Sequence, residues 1–309
     1  MSEGRSRRAK SAVHGVLLLN KPSGMTSNRA LQAAKRLFNA KKAGHTGSLD
    51  PAATGMLPLC FGEATKICAY LLDADKTYRV VAKLGSATET GDAEGSVTES
   101  AAVPDLTEDE WRTLLQGFLG ASEQVPPMYS ALKQGGKRLY ELARQGEVVE
   151  REARPITIHE IVLLEARGRR LVFRVRCSKG TYVRTLVEDI ARQAGTVAHT
   201  AHLHRESVRP FEAAGMVDLT MLERLAEADR AALQAALLPV DAGLQDWPQV
   251  LLSAEEADAF TMGQSVAKSP GVLGLVRVYG GQSRFLGIGD IGEDGRVAPR
   301  RVFRLDPSP

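Results

Sequence analysis

Hydrophobic and polar positions along the chain predict a mixture of strands and helices. Apolar side chains follow one another at residues 15–20, which is typical of a short buried strand. They alternate with polar side chains at residues 77–84, as in a strand with one buried face. Residues 156–165 and 170–178 alternate in the same way across a short turn and predict a pair of strands.

Helical periods with recognisable start signals lie between these strands. Residues 27–38 predict a basic helix that Ser27 or Thr26 caps. A second helix, at residues 106–118, begins with Thr107 and has Glu110 three positions later, which is the spacing of a capping box. Further helices are predicted at 138–144, at 181–193 before Gly195, and at 217–238 before Pro239. The chain is therefore of the α+β class.

The pattern changes at about Trp247. A capping box begins at Ser253, and short Val- and Gly-rich strands follow at 272–279, 283–290 and 296–305. About sixty residues are too few for a catalytic core, so this segment is an accessory domain. We divide the chain into a basic tail (1–14), a large domain (15–246) with an irregular insertion (about 120–155), and a small β-rich domain (247–309).

Charge is segregated along a chain of 309 residues whose net charge is only +3. Residues 1–49 contain ten Lys or Arg and one acid, and residues 167–184 contain seven basic residues and no acid. Residues 89–110 contain eight acids and no basic residue. This distribution predicts a basic face for a nucleic acid and an acidic flap that lies away from it, although each run could also be a solvated surface.

The composition favours a cytoplasmic protein. The sequence contains no run of about 18 apolar residues, which is the length that a membrane-spanning helix needs. The N-terminus also lacks the apolar stretch of a secretory signal. Cys60, Cys68 and Cys177 are odd in number and are not spaced as a zinc site, which is typical of reduced thiols. Apolar residues make up 43% of the chain, enough for a packed core.

The segment 44–55, GHTGSLDPAATG, is the most informative part of the sequence. Its glycines, proline and threonines predict a shaped loop rather than a helix or a central strand. The loop contains one carboxylate, Asp50, with Pro51 directly after it, and basic residues on either side are expected to keep the carboxylate ionised. An Asp in this context often only bonds neighbouring backbone amides, so the surrounding motifs decide its interpretation.

Those motifs resemble the bacterial tRNA pseudouridine-55 synthases, the TruB family. The resemblance rests on ordered blocks within residues 15–211: GVLLLNKPSGMTS, KKAGHTGSLDPAATGMLPLCFGEATK, DKTYRV, VPPMYSALKQGGKRLYELARQG, CSKGTYVRTLVEDI and AHLHRESVRPF. It implies a mixed or antiparallel-sheet catalytic domain, a PUA-like C-terminal domain, and isomerisation of a tRNA T-loop uridine. It implies no cofactor and no metal.

The resemblance also assigns site residues. Asp50 is the nucleophile, Arg184 forms an ion pair with it, and the Tyr78 ring stacks on the flipped uracil while its phenol takes part in proton transfer. Arg184 could instead bind a phosphate, and Tyr78 could simply pack in the core. His45 is interpreted as a wedge in the T-loop, with a general base as the alternative. Lining or bracing of the uracil pocket is implied for Tyr182, Leu203, Lys21 and Pro22.

Contacts to the RNA backbone are expected from basic residues outside the pocket. Lys133, Lys137 and Arg138 belong to the insertion, which is expected to become ordered on the T-arm. Alternation along residues 169–177 places Arg174 and Arg176 on one face. His204 stands where the family has an Arg, so Arg205 is expected to make the phosphate contact there. Another departure from the family pattern, Ala52 where Leu is commoner, is a change of volume only.

Two alternatives complete the interpretation. His199, His202 and His204 resemble a metal cluster, but on a helix their spacing does not bring three rings together, and no metal site is expected. A tRNA-binding chaperone with secondary catalysis would share every binding feature. Intact Asp50, Tyr78 and Arg184 favour the enzyme. We expect a monomer that binds tRNA and no membrane.

Overall fold

A computed structural model describes residues 11–212, 215–268 and 271–305. Residues 1–10 of the predicted basic tail lie outside these ranges. The last residues of that tail pack on the large domain: Ser11 bridges to Ala40, Val13 is buried, and the Glu63 amide donates to Nδ1 of His14 over 3.0 Å. The described part of the predicted tail is therefore part of the fold.

The large domain is built on an eight-stranded mixed sheet. The described strands before residue 246 are β1 (Gly15–Lys21), β2 (Ala43–His45), β3 (Thr54–Phe61), β4 (Lys76–Leu84), β5 (Ser86–Thr88), β6 (Val97–Ser100), β7 (Gly120–Gln124), β8 (Lys133–Gln134), β9 (Lys137–Arg138), β10 (Arg154–Arg167), β11 (Arg170–Cys177) and β12 (Ala198–Val208). The sheet order is β1-β3-β12-β4-β11-β10-β7, and β2 also pairs with β3. Only the β3–β12 pair within this described sheet is parallel.

The described α-helices belong to both domains. They are α1 (Ser27–Leu37), α2 (Cys68–Leu72), α3 (Glu108–Gln116), α4 (Leu139–Ala143), α5 (Val183–Gln193), α6 (Leu219–Ala228), α7 (Arg230–Ala235) and α8 (Ala254–Thr261). The side chains of α3 and α5 pack on the face of β4 and β11 that includes Val80 and Phe173. The opposite face of these two strands includes the exposed side chains of Arg79 and Arg174.

The described residues of the small domain form five strands rather than the three expected. They are β13 (Gln249–Leu251), β14 (Val266–Ala267), β15 (Gly274–Tyr279), β16 (Phe285–Ile291) and β17 (Arg296–Val302), in the order β13-β15-β16-β17-β14. The two additional strands have two or three residues each, too few for an alternating pattern to be visible. This domain packs on the large one through a shared cluster that includes Phe285, Phe303 and Met56.

Local signals predicted most element starts correctly. Thr26 caps α1, and both predicted capping boxes form, at Thr107 and at Ser253. The predicted helix at 217–238 is divided, because Asp229 adopts an extended conformation between α6 and α7.

Two expectations about irregular segments need correction. The ends of the 44–55 segment belong to strands β2 and β3, so the loop proper is 46–53. The 120–155 insertion is anchored at both ends, because β7 pairs with the start of β10 inside the main sheet. Within the described ranges no helix is long and apolar enough to cross a membrane.

Candidate active site

The Asp50 loop is fixed through its backbone. Ser27 at the start of α1 accepts from the Leu49 amide at 2.8 Å and donates to the Leu49 carbonyl at 3.0 Å. Nζ of Lys21 donates to the Pro51 carbonyl at 3.1 Å, and the amide of Gly24 donates to the same carbonyl at 2.9 Å. The residues on both sides of Asp50 are thus tied down, while 40% of its own side chain remains exposed.

Arg184 is the ion-pair partner of Asp50. Its side chain is only 5% exposed, and its Nε lies 2.9 Å from Oδ2 of Asp50. Nη1 donates to the Thr90 carbonyl at 2.5 Å and Nη2 to the Tyr129 carbonyl at 2.6 Å, while Oδ2 of Asp92 lies 3.9 Å away. The guanidinium therefore has a fixed orientation in front of the carboxylate.

Opposing effects act on the carboxyl group of Asp50. Burial is the largest of them and raises its pKa; the charge of Arg184 lowers it, Asp92 raises it and Lys21 lowers it. The balance leaves the pKa of Asp50 above its ordinary value, which is the reverse of a simple expectation from flanking basic residues. Arg184 is the strongest of the groups that favour the carboxylate.

Tyr78 lies on the same face of the sheet as the α5 helix. Its side chain is 8% exposed and belongs to the core cluster that also contains Leu49 and Val80. In the strand register Tyr78 is opposite Val175 on one side and Arg205 on the other. Burial raises the pKa of the Tyr78 phenol, and the neighbouring Arg205 charge acts against that rise.

Tyr182 and Leu203 are partly exposed beside these residues. The backbone of Tyr182, directly before α5, makes two hydrogen bonds with the amide group of Gln124, at 2.7 and 3.1 Å. Leu203 is opposite Val80 in the register and packs against the cluster that contains Tyr78. Both side chains are partly exposed, and the Tyr182 ring and the Leu203 side chain can supply apolar surface for the wall of a base pocket.

His45, in β2, has a buried Nδ1 with no hydrogen-bond partner among the described residues. Burial, followed by the charge of Arg205, lowers the pKa of His45. A neutral ring at this position favours stacking over a charged contact.

Comparisons with known proteins identify the family. The family model of the "TruB family pseudouridylate synthase (N terminal domain)" matches residues 35–183, and two TruB C-terminal models match 184–245 and 248–303. The "tRNA pseudouridine synthase B" of Pseudomonas putida is 52% identical over 302 residues, which cover 97% of this chain and 99% of that protein. The protein of the same name from Nitrosococcus oceani is 53% identical, covering 94% of this chain and 95% of its own.

The chain belongs to the TruB family. A solved structure titled "Crystal Structure of a Cbf5-Nop10-Gar1 Complex" contains a chain with the same fold, at a TM-score of 0.73 and 24% identity, covering 94% of this chain and 85% of that one.

Two positions implied by the TruB resemblance are unsuited to direct contact with RNA. Lys21 is fully buried, and its ammonium donates to the carbonyls of Pro22, Met25 and Pro51, so that all three N–H donors are used. Lys21 therefore braces the loop instead of binding substrate. Burial lowers the pKa of Lys21 to about 8. Arg205 is 1% exposed, which contradicts the expected phosphate contact.

Arg174 and Arg176 share one face, as alternation predicted, and it is the face opposite to Tyr78. Arg174 is opposite Arg79 in the register, whereas Tyr78 is opposite Val175. Because successive side chains of a strand point to opposite faces, the two arginines project away from Tyr78. They are occupied by ion pairs to Glu206, Glu160 and Asp75. An RNA-backbone role for these two side chains remains a prediction.

The acidic segment 89–110 contributes to the site and is not a flap held away from it. The Thr90 carbonyl accepts from Arg184, Asp92 is buried beside it, and Glu89 accepts from the Tyr129 hydroxyl at 2.5 Å. Sequence reasoning missed Thr90 and Tyr129, because a backbone carbonyl leaves no signal in the residue type.

The three histidines lie on strand β12 and not on a helix. His199 is buried with Nδ1 2.8 Å from the Ser86 carbonyl, and Nδ1 of His204 lies 2.8 Å from the Thr54 hydroxyl. Among the residues that the structure describes, no three His, Cys, Asp or Glu side chains come together as a metal site.

Lys133, Lys137 and Arg138 are exposed on the small β8–β9 hairpin of the insertion. The same segment reaches the site through the Tyr129 carbonyl. An RNA-backbone role for these three side chains remains a prediction.

Proposed function

We propose that this protein isomerises a tRNA uridine to pseudouridine, and that the target is uridine 55 of the T-loop. The observation that supports this most directly is one half-exposed carboxylate, Asp50, oriented by the buried Arg184 in a loop fixed through its backbone. The near full-length identity to proteins named tRNA pseudouridine synthase B supports the same reaction and the same class of substrate.

The chemistry explains why so few groups are needed. The C–N glycosidic bond breaks, the uracil rotates, and C5 bonds to C1′. Neither the sugar nor the base is released, and no electron acceptor is used. One carboxylate is required, either as a nucleophile or to stabilise positive charge at C1′. We assign this role to Asp50, whose ionised form the ion pair with Arg184 favours. Attack at C6, attack at C1′ and assistance to a glycal intermediate are all consistent with this placement.

The target base must leave the T-loop to reach Asp50. We propose that it stacks on Tyr78 between the side chains of Tyr182 and Leu203, since such stacking contributes about 1–3 kcal/mol towards the cost of extrusion. The neutral ring of His45 would occupy the space that the base leaves. The buried Nδ1 without a partner supports this wedge role over a general base, because no described group orients the ring for proton transfer.

The rest of the molecule binds the RNA in this proposal. The insertion contacts T-arm phosphates through Lys133, Lys137 and Arg138, and the domain at 247–309 acts as a PUA-like RNA-binding module. We propose a monomer that acts on tRNA in the cytoplasm. The three cysteines, free in the structure, are consistent with that compartment.

The test uses purified protein and a T-arm stem-loop with a single uridine at position 55. After incubation, carbodiimide labelling followed by reverse transcription should stop the polymerase at this position. The same RNA with cytidine at 55, and the Asp50→Asn protein with the original RNA, should give no stop. A protein that refolds tRNA but leaves no carbodiimide-reactive base would be the chaperone alternative, and the proposed activity would be wrong.

A further inference from the structure

Arg205 is the largest fully buried side chain of the described residues, at 1% exposure. It lies in β12 between two other strands of the sheet, opposite Tyr78 of β4 and opposite Gly55 of β3. The neighbouring backbone is unusually close: a Cβ on Gly55 would lie 2.2 Å from the Arg205 carbonyl oxygen, and Gly55 has φ +100°. The close approach of the Arg205 backbone to β3 therefore depends on a glycine at position 55.

The charge of Arg205 has no anionic partner among the described residues. Its Nε donates to the Met56 carbonyl at 2.6 Å and its Nη2 to the Gly47 carbonyl at 3.0 Å. Ion pairs within 4.0 Å in the described ranges do not include Arg205. Two carbonyl groups require donors but not a full positive charge, and a buried charge without an anion is costly. A purely structural role leaves this cost unexplained.

Tyr78 is the group on which that charge acts inside the site. Arg205 and Tyr78 are directly opposite each other on neighbouring strands, and the guanidinium charge opposes the rise that burial causes in the pKa of the phenol. The other ionisable groups that influence Tyr78 are Asp50 of the loop and Cys177 of β11, and both disfavour a negative charge there. Of these three groups, Arg205 is the cation.

We propose that Arg205 is a positioning residue that stabilises the Tyr78 phenolate with its unpaired guanidinium charge. This inference rests on the proposed function. Conversion of uridine to pseudouridine removes one proton from C5 and adds one to N1. The Tyr78 phenolate takes the C5 proton and becomes a phenol, N1 takes a proton from solvent, and the phenol returns its proton to solvent.

The test measures the phenol directly and needs no RNA. Fluorotyrosine is incorporated at the six tyrosines, and the 19F resonance of Tyr78 is assigned by its loss in Tyr78→Phe. Fluorination also lowers the pKa of a phenol towards a range that folded proteins tolerate. Each variant is titrated after its thermal melt has shown that it folds. Arg205→Gln keeps an amide donor and loses the charge, whereas Arg205→Lys keeps the charge and loses the planar fork.

Arg205→Gln should raise the titration midpoint of Tyr78 by about one pH unit or more, as expected when a neighbouring cation is removed. Arg205→Lys should leave the midpoint close to that of the wild type. The matched control is Arg176→Gln, which removes an arginine from the opposite face of the sheet and should leave the midpoint unchanged. An unchanged midpoint in folded Arg205→Gln overturns the proposal, and so does a midpoint in Arg205→Lys that rises by a full unit.

A second measurement connects the phenol with the reaction. Single-turnover pseudouridine formation by Arg205→Gln at neutral pH should fall about tenfold for each pH unit by which the midpoint rises. Affinity for the T-arm should stay within a few-fold, because Arg205 is not at the surface. If the wild type forms no pseudouridine, the proposed function fails while the 19F titration still decides the electrostatic part. A variant with a raised midpoint and a wild-type rate would refute the catalytic part alone.

Discussion

Arg184 has two effects on Asp50: its charge lowers the pKa of the carboxyl group, and its hydrogen bond orients the carboxylate. Replacing Arg184 with Met should separate these two effects. The change removes a positive charge whose Nε lies 2.9 Å from the carboxylate, and it keeps an apolar stem of similar length. Loss of an opposite charge at this distance raises a carboxyl pKa by about 1–3 pH units. Because the reaction needs the carboxylate, the rate falls as the pH drops through this pKa. The acidic limb of the rate profile should therefore move to higher pH by that amount.

Arg184→Met also removes the hydrogen bond that orients Asp50, and this loss lowers the rate by a factor that does not depend on pH. A hydrogen bond to a charged group contributes about 1.5–3 kcal/mol, which corresponds to a rate loss of about 10- to 150-fold on the plateau of the profile. Arg184→Lys should keep most of the electrostatic effect, because the ammonium is charged. It should still lose the plateau rate, since one ammonium cannot reproduce the bonds to Asp50, Thr90 and Tyr129 together.

The assay is single-turnover formation of pseudouridine between pH 5 and pH 9 on a T-arm stem-loop. The matched control is Arg192→Met in the last turn of the same helix, where the arginine is 75% exposed and pairs with Asp189 at 2.8 Å. Arg192→Met should leave the rate profile unchanged, because an exposed ion pair contributes little. An acidic limb that stays in place in Arg184→Met would refute the electrostatic reasoning. A weaker salt dependence of tRNA binding with an unchanged rate would instead show that Arg184 binds phosphate.

Three further outcomes are expected. Asp50→Asn should reduce turnover below about 1% of the wild type, because the amide is a poor nucleophile, while tRNA affinity measured by filter binding stays within a few-fold. Tyr78→Phe should melt at the wild-type temperature yet turn over slowly. Tyr78→Leu should also lose about 1–3 kcal/mol of stacking in RNA binding. Wild-type turnover in Tyr78→Phe would leave the phenol without a chemical role. Amide hydrogens of residues 125–150 should exchange rapidly in the free protein and become protected when the T-arm binds. Fixing each backbone residue costs about 1–2 kcal/mol, which phosphate contacts can offset. Equal protection in both states would indicate that the segment is already ordered without RNA.

Local signals in the sequence predicted local structure well. Thr26, Thr107 and Ser253 cap helices because a side-chain oxygen and an amide two or three residues later suffice for the interaction. The shaped loop around Asp50 was predictable for the same reason, since its Gly and Pro residues restrict the backbone directly. Its exact limits were not, because pairing of β2 with β3 decides where the loop begins and ends.

Long-range register could not be predicted from alternation alone. Alternation grouped Arg174 with Arg176 correctly, but it could not show that the opposite face includes Tyr78. In β12 the register shifts between Thr200 and His202 and again between Arg205 and Ser207, so the regular two-residue period fails there. A basic residue in such a strand looks exposed on charge alone, although Arg205 is buried.

The buried cations around Asp50 act on different parts of the loop. Lys21 and Arg205 bond only to carbonyls, and the carbonyls that they hold, at Pro51 and Gly47, lie on either side of the acid. Within the described ranges the ion pair of the Asp50 carboxylate is with Arg184, through Oδ2. The backbone is therefore fixed by cations that donate to carbonyls and not to the carboxylate. A carboxylate enclosed by all three cations would be stabilised in its resting state, and its attack on the base would be slower.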